Sequence, residues 1–265
     1  MKVRYLLVLA VMMLLAGCGG DRKPYGVFLS TSDDLSRFKD YDTIVIDAQY
    51  YDREAIEQFR QEGHKVYSYI NVGSLEDFRD YYGDYEGLTL GAYEHWDEEK
   101  WIDVSSEKWQ NFVIDELALS LAEKCIDGFF VDNCDVYYQY PTEEIREGLA
   151  AIMKGLKAYG IEVIVNGGDA FIDAYTAEGG AWDDVISGIN QESVFSRINW
   201  EDGSFGTAYP EDRDYFIDYI ERYGGMGADI YLLEYTSDSK LVKTIDEYCK
   251  SHGFTYYVSD SLELK

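Results

Sequence analysis

One pattern narrows the choice of folds more than any other: a short, almost unbroken apolar run followed by an amphipathic stretch, repeated along the chain. The runs lie at residues 25–30, 43–49, 65–72, 128–133, 161–166, 185–192, 229–235 and 255–259. Most are near-continuous in Val, Ile, Phe and Tyr, the signature of parallel strands buried on both faces. Between them lie helices with legible ends. A helix over 53–62 stops at Gly63, and one opened by Ser106 carries Trp109, Phe112, Val113, Leu117 and Leu121 on one face. Thr142 caps a third, with Glu143 and Glu144 in its first turn and Gly160 at its end. Pro210 starts a fourth, ended by Gly224, and Asp238 caps a fifth, ended by Gly253. Acids at the start and glycine at the end satisfy loose backbone groups and the helix dipole.

Eight strands alternating with helices over about 240 residues predict an α/β fold, a single-domain (β/α)8 TIM barrel. An open doubly wound sheet would carry a glycine-rich turn after its first strand, and Ser30-Thr31-Ser32-Asp33 is not one. Two features depart from the ideal barrel. The first helix, near 34–39, is very short, and almost nothing follows the eighth strand. The chain's end, or the stretch after Cys18, is expected to cover that gap.

The first segment stands outside the fold. Lys2 and Arg4 precede an apolar run from Leu6 to Leu15, then Leu15-Ala16-Gly17-Cys18. The run is shorter than the roughly 20 residues a spanning helix takes, and its layout is that of an export signal. Small residues before Cys18 suit a lipoprotein signal peptidase. The expectation is a signal peptide over 1–17, a lipidated tether over 18–24 and the barrel over 25–265, with Cys18 acylated and holding the protein to the outer face of a membrane.

Removing Lys2 and Arg4 takes the formal charge from −28 to −30. Nucleic acid, which needs a basic face, is excluded as a partner, whereas an acidic surface concentrates cations. Beyond Cys18 only Cys125, Cys134 and Cys249 remain, which is no disulfide scaffold. Buried thiols are expected, with at most one bridge.

In such a barrel the active site lies at the carboxyl ends of the strands. Those ends carry Asp47, Asn71, Asp132, Asn133, Asn166, Asp169, Glu192, Glu234 and Asp260. The set is rich in acids and amides and holds no histidine. The histidines are His64, His95 and His252; His64 and His252 precede strands, which puts them on the opposite, stabilising face. No metal site is implied, no cofactor is called for, and a serine triad lacks its base. Cys134 has no obvious base and reads as a structural thiol. Opposed acids with neutral amides nearby are what glycoside cleavage needs, one carboxylate ionised and the other holding a proton. Asp132 and Glu192, ending the fourth and sixth runs, are the expected catalytic pair. Asp47 and Glu234 are expected to bind substrate or to support the site.

The long insertion after the third strand, between residues 73 and 105, carries Tyr81, Tyr82, Tyr85, Tyr93, Trp96 and Trp101, then Asp103. It follows a strand, so it sits on the catalytic face, where aromatic rings stack on sugars. Loops this long in a compact barrel are usually functional.

At these residues the sequence resembles glycoside hydrolase family 114, the endo-α-1,4-polygalactosaminidases and their bacterial relatives. The resemblance rests on Ile46-Asp47-Ala48-Gln49-Tyr50, Tyr69-Ile70-Asn71-Val72-Gly73, Trp101-Ile102-Asp103-Val104, Gly128-Phe129-Phe130-Val131-Asp132, Asn166-Gly167-Gly168 and Asn190-Gln191-Glu192-Ser193. It covers nearly all of the mature chain and implies a (β/α)8 fold. It implies an endo-acting, retaining hydrolase of α-1,4-linked galactosamine-containing polysaccharide, a cationic substrate that suits the acidic charge. It also implies catalytic Asp132 and Glu192, with substrate contacts from Asp47, Tyr69, Asn71, Trp101, Asp103, Asp135, Asn166 and Glu234. By analogy with other α-glycosidase barrels Asp132 is the nucleophile and Glu192 the acid/base. Asn133-Cys134-Asp135 departs from the relatives, so Asp135 could share the role of Asp132. The alternatives are a lipid-anchored glycan-binding barrel without turnover and an α-glycosidase acting on neutral sugars.

Overall fold

The structure, a computed structural model, describes residues 22–265. The expected signal peptide, Cys18 and most of the tether lie outside the described residues. In chain order the elements are β1 (Lys23–Phe28), β2 (Tyr41–Ile46), α1 (Arg53–Gln61) and β3 (Lys65–Asn71). An insertion follows with β4 (Ser74–Glu76), α2 (Tyr82–Tyr85), β5 (Thr89–Ala92) and β6 (Glu99–Ile102). Next come α3 (Glu107–Asn111), α4 (Leu119–Ala122), β7 (Gly128–Asp132), α5 (Val136–Gln139), α6 (Glu143–Lys157), β8 (Glu162–Asn166) and α7 (Asp169–Ala177). The chain ends with β9 (Gly188–Glu192), β10 (Ser196–Asn199), β11 (Ser204–Thr207), α8 (Pro210–Gly225), β12 (Asp229–Tyr235), α9 (Ser239–His252) and β13 (Thr255–Ser259).

Eight of these strands form one parallel sheet in the order β1-β2-β3-β7-β8-β9-β12-β13. The sheet curls until β13 returns beside β1, where Phe28 meets Tyr257 edge to face at 5.5 Å. It is a nearly closed (β/α)8 barrel, as the repeat of apolar and amphipathic runs predicts. Side chains alternate across each strand. One set fills the barrel: Tyr25 and Val27, Val45, Tyr67 and Tyr69, Phe130, Ile164, Leu233 and Tyr235. The other set packs outward against the helices.

The chain's end covers the weak side differently from the expectation. Leu264 turns into the mouth and is buried on the interior cluster, its carbonyl accepting the Ser30 N–H at 3.3 Å. The outer wall there is left to Phe38, stacked on Phe28 at 4.2 Å, and Tyr41. β13 itself stays half-buried. Strand β1 also starts two residues earlier than the sequence reading, taking in Lys23 and Pro24 from the expected tether.

The insertion is not a bare loop. Its strands make an antiparallel sheet in the order β4-β6-β5. Behind it, α3 runs through a π-helical stretch, Phe112–Ala118, into α4. Helix α7, which the sequence reading did not resolve, starts after Gly168 in the left-handed conformation. Cys125, Cys134 and Cys249 are free thiols.

Trp109 joins the helix to the insertion. Its ring is fully buried against Tyr85 and Phe112, and its indole N–H donates to the Val72 carbonyl at 2.8 Å. Truncation leaves a cavity and an unpaired carbonyl. Trp109→Ala is therefore expected to lose about 3–5 kcal/mol in urea unfolding; a loss below about 1 kcal/mol would contradict this packing.

Candidate active site

A cavity of about 720 Å³ opens at the carboxyl ends of the barrel strands. Asp132 ends β7, Asn166 ends β8 and Glu192 ends β9, and all three face inward because they share the parity of the interior residues on their strands. The Asn166 amide nitrogen donates to Asp132 Oδ1 at 3.0 Å and to Glu192 Oε1 at 2.7 Å. Its own carbonyl accepts from Asn190 Nδ2 at 2.7 Å, and Asn190 Oδ1 accepts from the Tyr25 hydroxyl at 3.1 Å. A chain of bonds from the barrel floor thus fixes which end of Asn166 faces the acids.

Tyr235, at the end of β12, donates to Glu192 Oε2 at 2.9 Å. Burial raises the Glu192 pKa, the charge of Asp132 adds to it, and Asn166 and Tyr235 oppose it. Burial also raises Asp132, against the donors from Asn166, the Asn133 backbone and Tyr69. Two inward carboxyls with raised pKa values, sharing one amide, are equipped for proton transfer and for stabilising a developing positive charge.

The insertion supplies the second layer. Arg79, buried, donates to Asp47 Oδ2 at 2.7 Å and to both oxygens of Glu76, at 2.5 and 3.0 Å. Tyr69 reaches Glu76 Oε1 at 3.4 Å. Glu99 accepts from Ser74 Oγ at 2.5 Å and from Asn133 Nδ2 at 3.4 Å. Asp135 sits across from Asp169, beside Gly167, and lines the same cavity.

Of the residues expected at the site, Asp47, Tyr69, Asp132, Asp135, Asn166 and Glu192 line the cavity. Four others do not. Glu234 faces out of the barrel, where Phe195 N, Ser196 N and Ser196 Oγ donate to it at 2.9, 2.8 and 2.5 Å. Asn71 is spent on Ser74, donating to its Oγ at 2.8 Å and accepting its N–H at 3.0 Å. Asp103 accepts from Ser105 N and Oγ at 3.0 and 2.5 Å, just before α3. Trp101 is buried beneath Tyr93, ring on ring at 4.2 Å.

Of the insertion's aromatics, Phe78, Tyr93 and Trp96 line the cavity, whereas Tyr81 and Tyr85 pack on Phe112. Trp200, at the end of the β10–β11 hairpin, stacks on His95 at 4.4 Å and adds a further wall. Glu76, Arg79, Glu99, Tyr235 and Trp200 were not foreseen. For Tyr235 the signal was available: counting parity along β12 puts Tyr235 inside and Glu234 outside.

The model of glycoside-hydrolase family GH114 matches residues 25–262. No curated protein matches the sequence significantly. Among solved structures, the glycoside hydrolase domain of PelA from Pseudomonas aeruginosa superposes with a TM-score of 0.75 at 18% identity, over 91% of this chain and 95% of that one. Ega3 from Aspergillus fumigatus, solved in complex with galactosamine, gives 0.69 at 15% identity, over 93% and 94%. An α-galactosidase from Thermus thermophilus gives 0.58 at 10% identity, over 93% of this chain and 59% of that one. These likenesses support the barrel fold, and the family match decides the class: this chain belongs to glycoside-hydrolase family GH114 and is a glycoside hydrolase.

Three carboxyls, Glu99, Asp135 and Glu234, are pushed up to about 7, chiefly by burial. In the unfolded chain such groups titrate near about 4. The folded state therefore holds extra protons between those values, and its stability falls as pH rises through about 7. The thermal midpoint is expected to decline from about pH 5 to about pH 8. Glu99→Gln, which removes one titrating group but keeps an acceptor, should flatten part of that slope. A midpoint that rises over this range contradicts the assignment.

Proposed function

We propose that this family GH114 barrel cleaves α-1,4-linked galactosamine-containing polysaccharide within the chain, with retention at the anomeric carbon, using Asp132 as nucleophile and Glu192 as acid/base. The observation that carries the reading is the single Asn166 amide nitrogen bonded to both carboxylates. The two bonded oxygens can be no further apart than the sum of those bonds, a close approach that favours retention over the roughly 6.5–9.5 Å spacing of inverting enzymes. On this reading Asp132 attacks the anomeric carbon directly.

The partners of each acid support the order of roles. Donors from the Asn166 amide, the Asn133 backbone and Tyr69 favour ionised Asp132, and the charge of Asp132 in turn raises Glu192. Glu192 faces one amide N–H and the Tyr235 hydroxyl, a rotor that can donate or accept. Glu192 can therefore hold a proton, deliver it to the leaving glycosidic oxygen, and then take one from the water that releases the glycosyl–Asp132 intermediate. Substrate charge follows from the lining. Asp47, Glu76, Glu98, Glu99, Asp132, Asp135, Asp169 and Glu192 border the cavity, and Arg79, the one basic residue of its lining among the described residues, is spent on Asp47 and Glu76. A cationic amino-sugar polymer fits such a wall, and the galactosamine named for the Ega3 structure is a sugar of that kind. The reading places the enzyme outside the cytoplasm, tethered through acylated Cys18.

Reducing-end release from partly deacetylated galactosamine polymer should fall by about 100-fold or more in Asp132→Asn and Glu192→Gln. Equal release by all three proteins would sink the assignment. The first-formed product should carry the α configuration by NMR. Raising salt from about 0.05 to about 0.5 M should depress cleavage of the cationic polymer and spare a fully acetylated one. Cys18→Ser should move the protein from the membrane fraction to the soluble one.

A further inference from the structure

Asn133, directly after Asp132, has φ 67, a left-handed conformation that a side chain makes unfavourable. Asparagine takes this geometry in many turns for local reasons. Here its side chain is buried, and another segment takes it up completely. Tyr93 donates to Oδ1 at 2.9 Å, while Nδ2 donates to Ser74 Oγ at 3.1 Å and to Glu99 Oε2 at 3.4 Å. Ser74 and Glu99 lie in the insertion's strands β4 and β6, and Tyr93 immediately follows β5. The backbone is gripped as well: a Cβ at Gly73 would stand 1.7 Å from the Asn133 carbonyl oxygen, so only glycine allows the approach.

Asn133 borders the cavity, and the plain reading would be a sugar contact. Both its amide hydrogens are already committed, so it has no donor left for a hydroxyl. Its peptide joins directly to Asp132, whose carbonyl accepts the Val72 N–H at 3.2 Å, so the grip on Asn133 holds the backbone that carries the carboxylate.

We propose that Asn133 is a positioning residue for Asp132, held in its left-handed turn by Tyr93, Ser74 and Glu99 so that the peptide joining the two residues, and with it the nucleophilic side chain, is fixed in place. The insertion then acts on the chemistry through this grip, in addition to walling the cavity. The inference rests on Asp132 being the nucleophile.

The test compares wild type, Asn133→Gly and Tyr93→Phe on soluble galactosamine oligosaccharides. Glycine keeps the backbone angle without strain and loses every side-chain grip. Asn133→Gly is expected to lower kcat by about 10- to 100-fold, as a slightly misplaced nucleophile does, with KM within about twofold. The acidic limb of its pH–rate profile should move up, because a displaced Asp132 loses part of the Asn166 N–H bond that favours its ionised form. Tyr93→Phe should move both readouts the same way by less. Wild-type kcat and acidic limb in Asn133→Gly, or a change in KM alone, would overturn the proposal. If Asn133→Gly does not fold, Tyr93→Phe decides by the same readouts. Asp132→Asn run alongside separates the two assignments. If it is fully active, the nucleophile assignment falls and the positioning role with it. If it is inactive beside a wild-type Asn133→Gly, the positioning role alone is lost.

Discussion

Asn166 donates from one nitrogen to two carboxylates, and Asn190 occupies its carbonyl so that the amide cannot turn over. A reversed amide would set a carbonyl oxygen against both acids and leave Asn190 facing a second donor. The acids, drawn from β7 and β9, therefore meet at a separation fixed by a residue on the strand between them. Tyr25 continues the constraint to the barrel floor. Alternating parity, the tilt of the strands and a hydrogen-bonded relay through the interior all converge on that amide. The polar interior is unusual for a barrel core, but each hydroxyl and amide in the relay has a partner, so burying them is affordable.

The insertion is held down by charge as well as by packing. Arg79 lies between Asp47 of the barrel and Glu76 of β4, with all three buried. Such a triad stabilises little compared with an apolar replacement, because stripping water from three ions offsets most of their attraction. What it provides is specificity of placement: Arg79 satisfies Asp47 and Glu76 only where the insertion's sheet docks in this register. Loss of one member would leave an uncompensated charge in the wall of the cavity.

The barrel was legible because its signal is coarse. Buried parallel strands announce themselves as apolar runs, and the caps at Thr142 and Asp238 mark helix starts whatever the tertiary context. Asp132, Asn166 and Glu192 were legible for a related reason, since each closes a run and the mouth of a barrel collects such ends. The same rule misplaced Glu234: a strand end has two faces, and only the parity of Tyr231, Leu233 and Tyr235 tells which one looks inward. The insertion resisted for a different reason. Its strands are three or four residues long, too short for alternation to declare a face, so Trp101 and Tyr93 looked equivalent in sequence although one lies beneath the other. Glu76, Arg79 and Glu99 acquire meaning only from partners far away in the chain.

Strand β1 begins at the end of the barrel opposite the mouth, where Arg22 donates to the Glu62 and Gly63 carbonyls just ahead of β3. The described chain therefore enters the barrel from the underside. Were Cys18 acylated as proposed, the barrel would stand on the bilayer like a cup on its base, rim outward. A long polymer could then be laid across the rim from the side facing away from the bilayer, without its ends having to pass between protein and lipid. The leash would be short enough to keep the rim near the surface it works on.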